Sequence, residues 1–306
     1  MSEPATYVTG SWSNLPLAVQ RYCLRWTSIF DCAAVGMTSR DGYTAFKTVA
    51  MDRQEGCIKG FDLPLSPTLD MMRIEGAILS GSAVLDVLHP GCLTPGDLDI
   101  YIPRGGMPAI HAFLESWTDY LLLKSLRPSG DEHRNVYGPT NDTALAIRRI
   151  SYYVLKASGS VLNVIETTST TPTTAVFMFH STFVMNYMTW DAIICAYPKF
   201  TSTQRGLANR WRQRESAAIR WCRRKYWMRG FVATTSAERK VDEPATMRIS
   251  LTLQINATPD VIDPQLTWRL ACRHDPCYSK VYRPSSGWVL GGNGDYIERT
   301  AASIST

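Results

Sequence analysis

The stretch ILSGSAVLDVLHPGCLTPGDLDIYIP, residues 78–103, reads as three pieces in a row. A short apolar strand runs into the small-residue turn Ser80-Gly81-Ser82, and SAVLDVLH then sets Ala83, Val84, Val87 and Leu88 on one side of a helix. PGCLTPG is dense in turn formers, after which DLDIYIP alternates as a strand until Pro103 and Gly105 stop it. Asp97 and Asp99 are two apart on that strand, so both carboxylates point to one face. Like charges on one face repel unless a cation or basic groups neutralise them. Magnesium prefers carboxylate oxygens beside substrate phosphates, and a pair of such ions stabilises the attacking and leaving oxygens of a phosphoryl or nucleotidyl transfer. The Gly81-Ser82 turn ahead of a helix offers N–H groups and a hydroxyl to those phosphates. A structural use of the same residues is open as well. Asp97 could cap backbone N–H groups after its Pro-Gly turn, Asp99 could pair with Arg148 or Arg149, and Ser82 could cap the helix.

Outward from this stretch, strands and helices alternate. MPAIHAFLESWTDYLLLKSL, residues 107–126, predicts one amphipathic helix, with Ile110, Phe113, Leu114, Trp117, Tyr120, Leu121 and Leu122 on its apolar face. AIRRISYYVLKASGSVLNVIETTS predicts two strands around the Ala157-Ser158-Gly159-Ser160 turn. Residues 173–198 are largely apolar and predict a helix followed by a buried segment, in which His180 is expected to be a hydrogen-bonded core histidine. Residues 201–229 hold nine basic side chains and one acidic one, with Leu207, Trp211, Ala218, Cys222 and Tyr226 at helical spacing. That pattern predicts a helix with one buried face and a basic remainder. Arg223, Arg224 and Lys225 on it could bind a nucleoside triphosphate or an RNA backbone, with a tryptophan stacking on a base, or could form a solvated face. Farther on, MRISLTLQI predicts a strand, and Cys272, His274 and Cys277 offer three zinc donors but no nearby fourth.

At 306 residues and 45% hydrophobic composition the chain can bury a large core. The formal charge of +5 is a mild bias and by itself points to no polyanionic partner. Eight cysteines without a Cys-x-x-Cys pair read as thiols in a reducing compartment, no apolar run is long enough to span a bilayer, and the first fifteen residues lack a signal-peptide pattern. An intracellular protein, cytoplasmic or nuclear, with no membrane association is the expectation.

Gly81, Ser82, Asp97 and Asp99 resemble the hallmark of the nucleotidyltransferase superfamily, a Gly-Ser turn, a helix and an Asp-x-Asp on the next strand. From Ile78 to Phe231 the chain is similar to a group of fungal proteins with a degenerate form of that fold. The resemblance implies an α+β domain with a mixed sheet flanked by helices, Mg2+ on Asp97 and Asp99, and a nucleoside triphosphate as donor of a nucleoside monophosphate. The family adds a third acid on a later strand. In LNVIE the counterpart is Asn163, which brings no charge and no base; Glu166 is the other candidate, but a regular strand turns it to the opposite face. A degenerate active site that binds nucleotide or nucleic acid without transfer is the alternative.

Before this region, LPLAVQRYCLRWTSIFDCAAVGMTSR has the periodicity of two short helices. Leu15, Pro16, Val19, Leu24, Ile29, Asp31, Val35, Ser39 and Arg40 resemble the F-box motif. The resemblance implies a non-catalytic adaptor that docks a ubiquitin-ligase linker subunit through residues such as Leu15, Pro16 and Leu24; a plain helical extension packed on the main domain is the other reading. The expected organisation is a small helical N-terminal segment at residues 1–50, a nucleotidyltransferase-like domain at 61–231, and a β-rich extension at 232–306 packed on it.

Overall fold

A computed structural model describes residues 12–127, 146–177, 179–208, 217–234 and 267–269. The N-terminal segment folds as α1 (Leu17–Leu24), α2 (Ile29–Gly36) and a long α3 (Arg40–Lys59). Ser28 and Ser39 cap α2 and α3, their hydroxyls accepting the N–H groups of Asp31 and Gly42. Then come α4 (Leu65–Glu75), ended by a left-handed Gly76, and β1 (Ile78–Ser80), α5 (Gly81–Leu88) and β2 (Leu98–Ile102). The three pieces read from residues 78–103 are therefore present in order.

The predicted helix over 107–126 is two elements: α6 (Met107–Trp117) and β3 (Leu121–Leu126). Thr118 is extended and its hydroxyl donates to Leu114 O at 2.6 Å, which closes the helix. Leu121–Leu126 instead finds its backbone partners in β4 (Ile147–Val154), leaving Leu121, Leu122 and Leu123 exposed. The predicted two-stranded piece is β4 with β5 (Val161–Thr167), paired antiparallel. Residues 173–198 hold a one-turn α7 (Thr173–Val176) and the strands β6 (Asn186–Met188) and β7 (Ala192–Cys195). The basic stretch is interrupted too: it holds α8 (Pro198–Thr201), β8 (Arg205–Leu207) and α9 (Ala217–Trp227), followed by β9 (Val232–Thr234), while Trp211 lies outside the described residues. Beyond residue 234 the described residues form only β10 (Thr267–Arg269), so MRISLTLQI and Cys272, His274 and Cys277 lie outside them.

The eight-stranded mixed sheet runs β10-β7-β6-β1-β2-β5-β4-β3, with β2 and β5 parallel and the other neighbours antiparallel; β8 and β9 form a separate parallel pair. The architecture is α+β, a mixed open sheet flanked by helices. Strand alternation sorts side chains between its faces. Leu79, Leu98, Ile100, Ile102, Leu162 and Val164 join the core that includes α3, α5 and α6, whereas Ile78, Tyr101, Ile150 and Ile165 face the other way, toward α7.

The N-terminal helices share the first core through Leu24, Ile29, Cys32, Phe46 and Val49. Arg53 of α3 donates to the carbonyls of Leu24, Thr27 and Val87 at 2.6 to 3.1 Å, and Gln54 donates to Thr189 O at 2.8 Å. Such side chain to main chain bonds satisfy helix-end and loop carbonyls that burial would otherwise leave unpaired. Among the described residues, no helix is long and apolar enough to cross a membrane.

Candidate functional site

Register lines up the site across the sheet. Ser80 pairs with Asp99, Asp99 with Asn163, Asn163 with Tyr152, and Tyr152 with Lys124, so these residues from five strands form one transverse row. The row lies on the face opposite α5 and α6, because it alternates with Leu79, Ile100, Val164 and Tyr153 of the first core. Asp97, two residues before Asp99, shares that face.

Asn163 joins the two acids. Its amide nitrogen donates to Asp97 Oδ2 at 2.7 Å and to Asp99 Oδ1 at 2.9 Å. Each N–H of the amide serves one carboxylate, which holds the pair together without cancelling either charge. Burial, and then the charge of Asp97, raise the Asp99 carboxyl well above the usual range; the Asn163 hydrogen bond and the positive Lys225 act the other way. The same charges reach Tyr152, whose phenol is raised by burial first and then by Asp99 and Asp97.

The turn before α5 is built around Asp99. Gly81 has φ +76°, and a Cβ there would overlap Asp99 Oδ2. Only glycine meets both conditions, left-handed backbone and close approach to a carboxylate. Ser80, at the N-cap position, donates its hydroxyl to Asn186 O at 2.6 Å and makes no capping bond. Ser82 lies inside the first helical turn and is buried, so the reading of it as the helix cap is corrected.

Glu166 stands elsewhere. It is three residues from Asn163 on a regular strand, hence on the other face, and its buried carboxylate accepts the Gly105 N–H at 2.8 Å. Arg148 and Arg149 approach the same carboxylate at 3.2 and 3.9 Å. The two arginines considered as partners of Asp99 thus serve Glu166. Among the described residues no ion pair within 4.0 Å reaches Asp97 or Asp99, and no three His, Cys, Asp or Glu side chains gather as a metal cluster.

Helix α9 comes beside the acidic pair. Tyr226 anchors it, with ring centroids 5.4 Å from Phe183 and 5.6 Å from His180. Burial and then Asp99 raise the Tyr226 phenol, and the Lys225 charge acts on Asp99. Lys225 is therefore the basic-helix residue whose charge acts on Asp99. Arg223 donates to Ala233 O at 3.2 Å, tying α9 to β9, while Arg224 is exposed beside Trp227. His180 bonds Ser181 Oγ through Nδ1 at 2.8 Å; burial, Arg223 and Lys225 lower it to about 4. At the N-terminus, Leu15 and Pro16 are exposed, whereas Leu24 is buried in the shared core.

Tyr152 and Lys124 were not legible as site residues. Lys124 Nζ stands 4.7 Å from the centroid of the Tyr152 ring, extending the row to the sheet edge. The period of two in β4 puts Tyr152 on one face with Ile150, but only the register beside Asn163 brings it to the acids. Asp97 and Asp99 could hold a hard cation beside the glycine turn, whereas Asn163 turns its amide nitrogen, a donor and not a ligand, toward them. Compared with models of protein families, with curated proteins and with solved structures, the chain gives no match.

Proposed function

We propose that this chain is a nucleotidyltransferase-like protein that binds a magnesium–nucleoside triphosphate complex at Asp97 and Asp99, and that binding there outweighs transfer. The observation that carries the reading is the Asn163 bridge, an amide nitrogen 2.7 and 2.9 Å from the two carboxylates. Two acids suit one hard cation that keeps waters and phosphate oxygens as its other ligands. A second ion would need a further negative group, and the neutral Asn163 supplies none. When bound, magnesium would offset phosphate charge and polarise a phosphoryl oxygen. Asp97 and Asp99 would hold it, the N–H groups opening α5 after Gly81 would meet the phosphates, and Lys225 would add positive charge beside them.

Calorimetric titration with a non-hydrolysable triphosphate tests this. Binding should require magnesium and should fall on the order of a hundredfold in Asp97→Ala/Asp99→Ala, the loss expected for two charged contacts. Equal binding with and without magnesium, or unchanged binding in the variant, would overturn the reading.

A second reading, the F-box type adaptor, is favoured by the apolar surface of the first helices. Leu15, Leu17, Val19, Tyr22 and Trp26 are exposed, Tyr22 at 72% and Trp26 at 65%. Leu24 cannot belong to such a surface. A Leu15→Glu/Leu17→Glu variant should lose copurification with the linker subunit of a cullin-type ligase; absence of any complex with the parent chain removes this reading.

A further inference from the structure

We infer that α9 and the strand after it form a binding surface for a single-stranded polynucleotide, separate from the Asp97–Asp99 face and not dependent on the reading of that face. Residues 217–230 carry Arg220, Arg223, Arg224, Lys225 and Arg229 and no acid. Positions 220, 224 and 227 fall on one helical stripe. There Arg220, Arg224 and Trp227, with Arg223, Val232 and Ala233, line a recess of about 340 Å³. Arg223 is bonded to Ala233 O, which ties one wall of the recess to β9.

Among the described residues, packing does not account for the tryptophans. The buried side of α9 is provided by Tyr226 against Phe183 and His180, while Trp221 and Trp227 remain 62% and 66% exposed. Large aromatic surface left in water forgoes stabilisation, and beside a positive field it presents a face on which a base can stack. Lys225 already sits 5.6 Å from the Trp221 ring centroid, the geometry of a cation over an aromatic ring. Phosphates match the arginines, and an unstacked base matches the open Trp227 ring. A duplex offers only the first, since its bases are stacked on each other. An anionic membrane surface fits less well, because Trp221 and Trp227, six residues apart, stand on different sides of α9 rather than on one apolar face, and the recess is concave.

The test is fluorescence anisotropy of the full chain with labelled twelve-nucleotide oligouridylate and oligodeoxythymidylate. Either strand should bind, and dissociation constants should rise about 20- to 50-fold from 50 to 200 mM salt, for three or four phosphates neutralised. Trp227→Ala should weaken binding about tenfold at fixed salt, and Arg220→Glu/Arg224→Glu should abolish it. Trp227→Ala should retain magnesium-dependent triphosphate binding, and Asp97→Ala/Asp99→Ala should retain oligonucleotide binding, so that the two surfaces can fail separately. No binding at 50 mM salt, equal affinity for a blunt duplex, an unchanged Trp227→Ala, or tighter binding to phosphatidylserine vesicles would each overturn the inference.

Discussion

Two acidic centres occupy opposite faces of the paired strands β2 and β5, and they are neutralised differently. Glu166 is buried against the Gly105 N–H, Arg148 and Arg149. Its counter-charges belong to the fold, and a carboxylate so supplied has nothing left to recruit. Among the described residues Asp97 and Asp99 share the neutral Asn163 amide and no ion pair, and the field of Lys225 acts on Asp99. Their mutual repulsion persists in the folded chain, which is the electrostatic condition under which an exchangeable cation gains most. The position of an acid in a sheet is thus less informative than whether its neutralising partner is built in.

The comparison breaks most directly at Glu166. Glu166→Ala should cost about 3 kcal/mol in urea unfolding, because a buried charged hydrogen-bond network loses its centre; magnesium affinity should not change. A fall in that affinity would mean the faces are coupled. The next effect is acid sensitivity from His180. Its folded pKa, lowered to about 4, lies below the unfolded value near 6.5, so the unfolded chain gains the proton first as pH falls. Stability should drop by about 2 kcal/mol between pH 7 and pH 5, and His180→Asn should remove that part of the slope. A variant with the parent's pH curve would show that His180 is solvated. Asn163→Asp gives the smallest effect and the sharpest contrast, since it adds the missing charge. Magnesium should bind about tenfold tighter, near 1.4 kcal/mol, and the apo protein should be less stable. An affinity below the parent's would mean that the amide, not the carboxylates, organises the site.

Much of this was legible locally. Period-two alternation located β2, β4 and β5, a small-residue turn located the start of α5, and the spacing of Asp97 and Asp99 fixed their common face. Asn163 could be aligned with them because β2 and β5 are parallel neighbours and only one polar residue lay at the centre of LNVIE. The helix over 107–126 failed at Thr118, where the leucines that follow are apolar enough for a helix face yet are held by backbone pairing at an exposed edge. The contribution of Lys225 and the row from Asp99 to Lys124 depend on strand order and on how α9 packs, and neither has a local signature. The reason for Gly81 was hidden likewise: its crowding partner, Asp99, is eighteen residues along the chain.

The bond from Gln54 to Thr189 spans 135 residues. During synthesis at about 5 to 20 residues per second, α3 therefore waits about 7 to 27 s before its acceptor is even made. The buried amide of Gln54 thus takes its partner from the turn after β6, a segment made long after α3 itself.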